Sequence, residues 1–482
     1  MVSFKLATKD QKGSPQLKPS EPKQFMPHVY VILFIFIVLA SLLTYIVPAG
    51  EYERIPGPEG RTTIDPASYQ TVESNPAGIT DFMVAIPNGL AGAAEVVFFT
   101  LIIGGMFMVL RKTGMIEWGV SALTRRFSSK SMAVIPVLMV VFSVVCSLIG
   151  TQELSLVYIP VILPLLIALR FDSVTAVGVA LVATTAGFTT GVLNPINTGL
   201  GQQLAEIPVY SGIGLRAVAL ILIMTTGILY VVRYARKVRQ NPKLSLVYEE
   251  DAEKRKLYRK TDDAKPFQVT KRQKIAAAVT GLFFGVLIYG VLFEGWFMLE
   301  MSGLFILMGI TAGLIAGLNT SQICEGFNQG FRDVLVGAII VGIARAVAVV
   351  MEDGQIMDTI VYGLGIFVGN FPPVFSAAGM FFTQLLFNFV VPSGSGQALV
   401  TMPIMAPLAD LLNMTRQTAV LAFQLGDGLG NILFPTSGYF MAALALAGVS
   451  WGKWVKFYLP LFGIWTVISI GLLVFAQLTG WS

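Results

Sequence analysis

The sequence predicts an all-α polytopic membrane protein with two inverted-topology repeats, each with a re-entrant helical hairpin and a broken transmembrane helix. The 482-residue chain is 55% hydrophobic and 13% charged, against about 25% charged residues in soluble domains; its mean hydropathy is +0.73. Its apolar runs are continuous, which is typical of spanning helices and not of barrel strands. Polar, Gly-rich breaks interrupt these runs at matching places in both halves. Such breaks are tolerated where they face protein or a water-filled cavity, so they indicate a transported-solute site.

The apolar runs define the predicted spans. The first run, 29–47, is too long for the apolar core of a signal peptide, so we expect a retained helix. The basic tail before it, 1–26, carries five lysines, which predicts a cytoplasmic N-terminus. The remaining runs are 96–110, 132–148, 215–232, 275–292, 303–318, 334–351, 374–391 and 457–477.

Charges in the loops orient these spans. The loop 50–81 is mainly acidic, with Glu51, Glu53, Glu59, Asp65 and Glu73 against Arg54 and Arg61. A cytoplasmic segment is indicated by Arg111, Lys112, Arg125, Arg126 and Lys130. The charged stretch 233–274 is predicted to be a cytoplasmic linker between a first repeat, 27–232, and a second repeat, 275–482. Counting crossings places the C-terminus outside.

The register between the two halves supports an inverted repeat. Gly114 and Pro195 have counterparts 240 residues later, Gly354 and Pro435. Basic residues precede the first glycine and acidic residues precede the second, namely Arg111 and Lys112 against Glu352 and Asp353. Because cations mark the cytoplasmic end of a helix, this swap indicates that equivalent segments cross in opposite directions. Chance is the alternative, since the charges are few.

Each predicted repeat contains a hairpin tip and a broken helix. The tips lie near 149–155 and 391–397, and the broken helices near 184–199 and 424–438. Glu153 lies at the first tip and Asp427 within the second broken helix, and ionisable residues at membrane depth are functional candidates. Alternatively, Glu153 is a hydrated residue at a surface, and Asp427 caps the following half-helix.

The second tip combines hydroxyl groups with a predicted helix start, Ser393, Gly394, Ser395 and Gly396. A helix N-terminus favours anionic groups such as a substrate carboxylate. Neutral partners are expected from Asn194, Asn197, Thr198, Thr436 and Ser437. A coupling ion, Na⁺ or H⁺, would be held by Asp427, Gly426, Asn194 and Thr436, since glycines let carbonyls turn toward a cation. The alternative is that these residues only satisfy backbone groups freed by proline.

Arg345 interrupts an apolar run, and its counterpart in the first half is Gly105. It is either an anion clamp or half of a structural ion pair. Gln384 and Asn388, one helical turn apart, either face the site or bond between helices.

Several functions are disfavoured by missing motifs. The chain has one histidine, His28, and no Walker loop, so neither a His-based metal site nor an ATP-driven pump is indicated. Cys146 and Cys324 are expected to be small buried hydrophobes. No catalytic triad stands out, so we predict neither an enzyme nor a nucleic-acid partner, and no cofactor beyond a coupling ion.

Specific motifs carry a family resemblance. They are Val391-Pro-Ser-Gly-Ser-Gly-Gln-Ala-Leu-Val-Thr-Met-Pro403, Ala406-Pro-Leu-Ala-Asp410, Arg416-Gln417, Ala422-Phe-Gln-Leu-Gly-Asp-Gly428, Phe171-Asp-Ser173 and Asn194-Pro195. Over nearly the whole chain, the sequence resembles the YfcC family of the C4-dicarboxylate anaerobic carrier-like proteins in the ion transporter superfamily. The resemblance implies a bacterial inner-membrane carrier with a homodimeric scaffold, an elevator mechanism and arginine/ornithine-type antiport. Relatives tend to carry Gly-Met-Gly-Glu-Glu at the first tip, where this chain has Gly150-Thr-Gln-Glu-Leu154.

We therefore predict a secondary active transporter of small charged organic solutes, with a basic amino acid antiporter as the first choice. Its moving domain would comprise the hairpins and broken helices, and its scaffold would include 29–47, 275–292 and 303–318. The alternative in the same class is a sodium- or proton-coupled carboxylate symporter with Arg345 as anion clamp. The alternative from another class is a non-transporting sensor or assembly factor. The sequence leaves open the substrate, the coupling ion, the stoichiometry, and the protonation of Glu153 and Asp427.

Overall fold

The computed structural model describes residues 29–57, 62–116, 118, 131–259, 270–296, 298–370 and 373–481. Some features discussed above lie outside these residues: the tail 1–26, His28, Glu59, Arg61, Arg125, Arg126, Lys130 and the linker segment 260–269.

Apart from four short strands, the regular structure of the described chain is helical. The strands form two antiparallel pairs, β1 (Gly50–Glu51) with β4 (Gln70–Thr71) and β2 (Arg54–Pro56) with β3 (Thr62–Ile64). The α-helices are α1 (Val29–Leu43), α2 (Ile79–Gly92), α3 (Ala94–Lys112), α4 (Ser131–Ile149), α5 (Leu154–Ala168), α6 (Ser173–Thr190), α7 (Leu200–Leu204), α8 (Ile213–Gln240), α9 (Ala252–Arg259), α10 (Lys271–Phe293), α11 (Met298–Ala316), α12 (Thr320–Asp353), α13 (Met357–Gly369), α14 (Pro373–Val390), α15 (Gly394–Leu411), α16 (Arg416–Gly430), α17 (Gly438–Ala447) and α18 (Trp451–Thr479). A π-helical turn, Pro195–Gly199, precedes α7, and a 3₁₀ turn, Pro242–Leu244, follows α8.

Eight described helices are long and apolar enough to cross a bilayer: α3, α4, α6, α8, α10, α11, α12 and α18. They confirm the prediction of a multi-span, all-α membrane protein. The run predicted at 334–351 is only part of α12, which begins at Thr320. The earlier start is explained by Asn319, whose side chain accepts a hydrogen bond from the Gln322 amide while the Gln322 side chain accepts one from the Asn319 amide.

The helices pack in two groups. In the first group, α12 packs against α1, α2 and α3, and α11 bridges α3 and α10. In the second group, α4 packs on α6 and α8, while α14 packs on α16 and α18. Contacts between α6 and α16 join the two broken-helix regions, and α17 packs on α12 to connect the groups.

The structure locates the interruptions in the apolar runs. α4 ends at Ile149 and α5 begins at Leu154, while α14 ends at Val390 and α15 begins at Gly394. α6 ends at Thr190, before Gly191 in the left-handed region, and α16 ends at Gly430. The sequence indicates broken helices near 184–199 and 424–438. In the structure, the helices end within these ranges, after Thr190 and after Gly430.

Part of the charged linker binds the ends of two buried helices. Asp251 is buried, and its carboxylate accepts hydrogen bonds from the Ser173 amide (2.7 Å) and hydroxyl (2.5 Å) at the start of α6. Lys254 Nζ lies 2.8 Å from Asp251 Oδ1 and donates to the Ala447 carbonyl at 2.6 Å, at the end of α17. We call Asp251 and Lys254 the linker clasp. It joins one helix from each half of the chain.

Replacing Asp251 with alanine is expected to destabilise the protein. The change leaves the Ser173 amide and the Lys254 ammonium without their shared carboxylate, and breaking a buried charged network costs about 3 kcal/mol. The purified variant should melt at a lower temperature than the wild type. Glu253→Ala is the matched control, because among the described residues Glu253 pairs only with Lys256 and both side chains are exposed. Equal melting temperatures for the two variants would contradict the structural role of the clasp.

Candidate functional site

The loop after α6 and the π-helical turn that follows it lie against the two hairpin tips. Gly150 has φ +82°, and a Cβ added there would overlap the side chain of Asn194 in the loop. A Cβ added at Gly394 would overlap the side chain of Asn197 in the π-helical turn. Asn194 Oδ1 accepts a hydrogen bond from the Asn197 amide at 2.9 Å. The structure thus brings Asn194 and Asn197 together between the two tips.

Asp427 is the centre of a buried amide network. Its side chain is fully buried, and Oδ2 accepts a hydrogen bond from Asn197 Nδ2 at 2.9 Å. Oδ1 accepts from Asn388 Nδ2 at 2.9 Å and from Asn431 Nδ2 at 3.4 Å. Asn388 also donates to Asn431 Oδ1 at 2.9 Å. Four segments of the chain therefore converge on one carboxylate: the π-helical turn, α14, α16 and the break after α16.

The glycines beside Asp427 lie where α16 packs closely against its neighbours. Gly426 and Gly428 are both within α16, which ends at Gly430. A Cβ at Gly426 would lie 2.7 Å from the Phe381 carbonyl oxygen, and one at Gly428 would lie 2.8 Å from Thr189 Cα. These glycines permit close helix packing.

The proposed coupling-ion residues do not form one bonded cluster. Neither Asn194 nor Thr436 is a hydrogen-bond partner of Asp427 in the described structure. Thr436 is 3% exposed and Ser437 is fully buried, and in the described chain the hydroxyl groups of both lack a partner. The Nδ2 group of Asn194 also lacks one. Unpaired buried polar groups are costly, so these atoms are candidates for contact with a solute, an ion or water.

A cavity of about 710 Å³ opens beside this network. One part of its wall comes from the hairpin tips, Gly150–Glu153 and Pro392–Ser395, with Asn197, Asn431 and Thr436 beside them. Another part comes from the junction of α2 and α3 and from α12, including Glu95 and Arg345. Its volume falls within the range of small-molecule sites, roughly 300–1,000 Å³.

The second tip presents a helix N-terminus to this cavity. Ser393 is the N-cap of the 18-residue helix α15, and its Oγ accepts a hydrogen bond from the Gly396 amide at 3.4 Å. Ser393, Gly394 and Ser395 all line the cavity. The first-turn amides and the helix dipole favour a negatively charged ligand group here.

The first tip presents a carboxylate to the same cavity. Glu153 precedes α5, and Thr151 Oγ1 donates a hydrogen bond to Glu153 Oε2. The neighbouring Gln152 is held by Tyr439, whose hydroxyl donates to Gln152 Oε1 at 2.8 Å, and by Thr185 at 3.0 Å. These bonds fix the backbone around Glu153 and leave its carboxylate at the cavity wall.

Arg345 also lines this cavity, but its charge is shared with an acid. Its Nη2 lies 2.9 Å from Glu352 Oε1 and 3.3 Å from Oε2. Both side chains are partly exposed, at 36% and 42%. The geometry matches the ion-pair interpretation of Arg345 and leaves it near the cavity.

Comparison with known families identifies the family of this chain. Residues 26–478 match the model of the C4-dicarboxylate anaerobic carrier family, DcuC. The chain belongs to the DcuC family. Its members are carriers, so this chain is a membrane transporter, and family membership points away from an enzyme.

Two relatives extend this assignment across almost the full chain. This DcuC-family transporter is 31% identical to an Escherichia coli K12 protein named "Putative basic amino acid antiporter YfcC", over 95% of this chain and 97% of that protein. It is 29% identical to an uncharacterised protein of Haemophilus influenzae, over 93% of this chain and 96% of the relative. The relationship to YfcC predicted from the motifs is confirmed.

Two solved transporters are similar to this DcuC-family chain at lower identity. YdaH of Alcanivorax borkumensis is 16% identical, with a TM-score of 0.43 and coverage of 94% of this chain and 99% of that one. MtrF of Neisseria gonorrhoeae, described with a class of antimetabolite efflux pumps, is 15% identical, with a TM-score of 0.42 and coverage of 94% of this chain and 95% of that one.

Sequence reasoning missed a buried cation in this DcuC-family transporter. Arg216 on α8 is fully buried. Its Nη1 donates to Gln424 Oε1 at 3.0 Å, and its Nη2 lies 3.4 Å from Gln417 Oε1. Thr198 Oγ1 donates to the same Gln424 oxygen at 2.5 Å. Arg216 and Thr198 thus hold Gln424, which lies about one helical turn before Asp427 on α16. The sequence did contain a signal for this residue, namely an arginine just inside an apolar run.

Glu95 is the second residue that sequence reasoning missed. It lies in the first turn of α3, directly after the junction with α2, and its side chain is exposed to the cavity. The predicted span begins at 96, which left Glu95 in the preceding loop. An acid at the edge of an apolar run was the available signal, but nothing in the sequence shows that α2 ends there.

Proposed function

We propose that this DcuC-family transporter is an amino acid antiporter that works by alternating access, with basic amino acids as its substrates. One observation carries the proposal: the cavity presents an anion-favouring helix N-terminus at Ser393–Ser395 and a carboxylate at Glu153. An amino acid carries both complementary charges, and a simple dicarboxylate carries only one of them. The name of the E. coli relative supports the same substrate class.

In this proposal, the substrate carboxylate docks at the start of α15. Its α-ammonium meets Glu153, while Asn197 and Asn431 provide neutral polar contacts from the network around Asp427. Asp427 lies behind those amides and senses substrate through them. Asn194, Thr198, Thr436 and Ser437 complete the polar surroundings.

An elevator movement of two inverted repeats is the proposed mechanism. It is supported by equivalent packing in the two halves, because α4 packs on α6 and α8 as α14 packs on α16 and α18. The moving domain would contain both hairpins and both broken helices. The scaffold would contain α1, α10, α11 and α12, and a homodimer interface would lie on it. The bacterial inner membrane, with a cytoplasmic N-terminus, is the proposed location.

Coupling is proposed to come from exchange of one amino acid for another. A Na⁺ ion or a proton at Asp427 is the alternative source, with the unpaired Asn194 amide and Thr436 hydroxyl as neighbours in the same region. Exchange requires no bound ion, and it predicts uptake only into vesicles that already contain a substrate.

A coupled carboxylate symporter is the second candidate. The family description and the presence of Arg345 in the cavity wall favour it. The Glu352 partner of Arg345 weighs against it, because the charge available to a second substrate carboxylate is already neutralised.

Counterflow in proteoliposomes tests the proposal. Vesicles loaded with unlabelled L-arginine or L-ornithine should take up labelled L-arginine, and empty vesicles should not. Uptake of succinate that depends on a sodium or proton gradient, without arginine exchange, would establish the carboxylate symporter instead. Thermal stabilisation of the purified protein by the same solutes gives an independent measure of binding, since a ligand of the folded state stabilises it.

A further inference from the structure

Glu95 has the features of a residue that binds a ligand. Its side chain is exposed at the cavity, and in the described chain it has no hydrogen-bond or ion-pair partner. The other charged groups of this cavity have partners: Arg345 is bound by Glu352, and Glu153 accepts from Thr151. A solute that binds Glu95 therefore breaks fewer protein contacts than one that binds Arg345 or Glu153.

The charge balance of the cavity favours cations. Glu95 and Glu153 contribute two carboxylates, while the positive charge of Arg345 is offset by its acidic partner. A second feature indicates that this wall contacts a ligand: Thr436 lines the cavity and is 3% exposed, and its Oγ1 has no partner in the described structure. Buried hydroxyl groups normally form hydrogen bonds.

The two carboxylates lie on different parts of the wall. Glu153 belongs to the first hairpin tip, and Glu95 belongs to the α2–α3 junction, where both helices pack on α12. The tip itself has one acid, because the next residue is Leu154. A substrate with two cationic groups thus finds one acid on the hairpin and the other at the α2–α3 junction.

We propose that Glu95 is a specificity-determining residue that binds the side-chain cation of a basic amino acid. This inference rests on the proposed function, in which the helix start at Ser393 holds the substrate carboxylate and Glu153 holds the α-ammonium. The guanidinium or distal ammonium then extends to Glu95. A neutral amino acid of similar shape leaves Glu95 without a partner and loses a charge-assisted hydrogen bond.

Comparison of arginine with citrulline isolates this contact, because citrulline replaces the guanidinium with a neutral urea of nearly the same shape. In counterflow assays, the wild type should prefer arginine. Glu95→Gln should raise the KM for arginine by about 10- to 100-fold, the loss expected for one hydrogen bond to a charged group, and should change the KM for citrulline little. Glu95→Asp should keep most of the preference. Glu325→Gln, an exposed acid on α12 away from the cavity lining, is the matched control.

The outcomes separate the two proposals. An unchanged arginine-to-citrulline ratio in Glu95→Gln, with normal arginine exchange by the wild type, would overturn the role of Glu95 and leave the antiporter intact. Absence of amino acid exchange by the wild type would overturn the proposed function itself. If Glu95→Gln is too unstable to purify, the Glu95→Asp ratio decides, and a loss of preference as large as that expected for glutamine would contradict the proposal.

Discussion

Replacing Asp427 with asparagine is expected to abolish transport and to leave the fold intact. Asparagine has nearly the same shape, and its one carbonyl oxygen can keep the bond from Asn388. The Asn197 amide then has to rotate, because it would otherwise face a second donor. The substitution also removes the carboxylate charge from the centre of the network. We expect the initial exchange rate to fall at least about 100-fold, since charge-assisted hydrogen bonds contribute about 1.5–3 kcal/mol each.

The exchange rate in proteoliposomes with matched protein content measures this effect, and the melting temperature reports on folding. Asp410→Asn is the control, because Asp410 is half exposed and pairs with Arg416 at 2.8 Å on the surface. Wild-type exchange by Asp427→Asn would show that the charge has no role. A strong loss in both variants would indicate a general defect of folding or insertion.

Adding one methyl group at Gly394 is expected to slow transport too, by a smaller factor. The new Cβ would overlap the side chain of Asn197. Asn197 cannot move freely, since its side-chain Nδ2 donates to Asp427 Oδ2 and its backbone amide donates to Asn194 Oδ1, each at 2.9 Å. Either the second hairpin tip is displaced or Asn197 leaves the carboxylate. We expect Gly394→Ala to slow exchange at least about 10-fold and to lower the melting temperature, as overpacking typically costs about 1–3 kcal/mol.

Gly396→Ala provides a control two residues away in the same helix. Its Cβ would lie 3.1 Å from Ser393 Oγ, so the neighbouring side chain has to shift by only a few tenths of an ångström. Both positions lie in the first turn of α15, where the gain in helix propensity is at most about 1 kcal/mol, the advantage of alanine over glycine in a helix interior. The difference between the variants therefore isolates the contact with Asn197. Equal exchange rates in the two variants would mean that the tip tolerates displacement and that this contact does not set the geometry of the site.

The sequence predicts the interruptions of the helices but not the contacts that they make. Proline, glycine and hydroxyl residues inside apolar runs have few explanations in a bilayer, so Asp427 and the Ser393–Gly396 segment stand out without a structure. The sequence names Asn388 and Asn197 as candidates but does not pair them with Asp427, because they come from distant segments and asparagines are common helix-to-helix donors. Gly426 shows the same limit: a glycine beside an acid is compatible with an opened backbone or with close packing, and only the neighbouring Phe381 backbone decides between them.

Charge patterns were uninformative about burial. The linker residues 233–274 have the composition of a solvated segment, yet Asp251 is fully buried. Arg216 and Glu95 were missed for a related reason. Each stands at the edge of an apolar run, where hydropathy does not distinguish a residue in the solvent from one in an internal cavity or a protein core.

The linker clasp has a consequence for the order in which the protein is assembled during synthesis. The Asp251–Ser173 bonds join residues of the first half, so they can form before the second half has left the ribosome. The Lys254 bond to the Ala447 carbonyl has to wait until α17 is in the membrane. A chain cut between 259 and 270 would leave the clasp on the N-terminal fragment, where Lys254 offers a docking point for the C-terminal fragment. The two halves of this transporter are thus joined twice, once by the covalent chain and once by the contact of Lys254 with the end of α17.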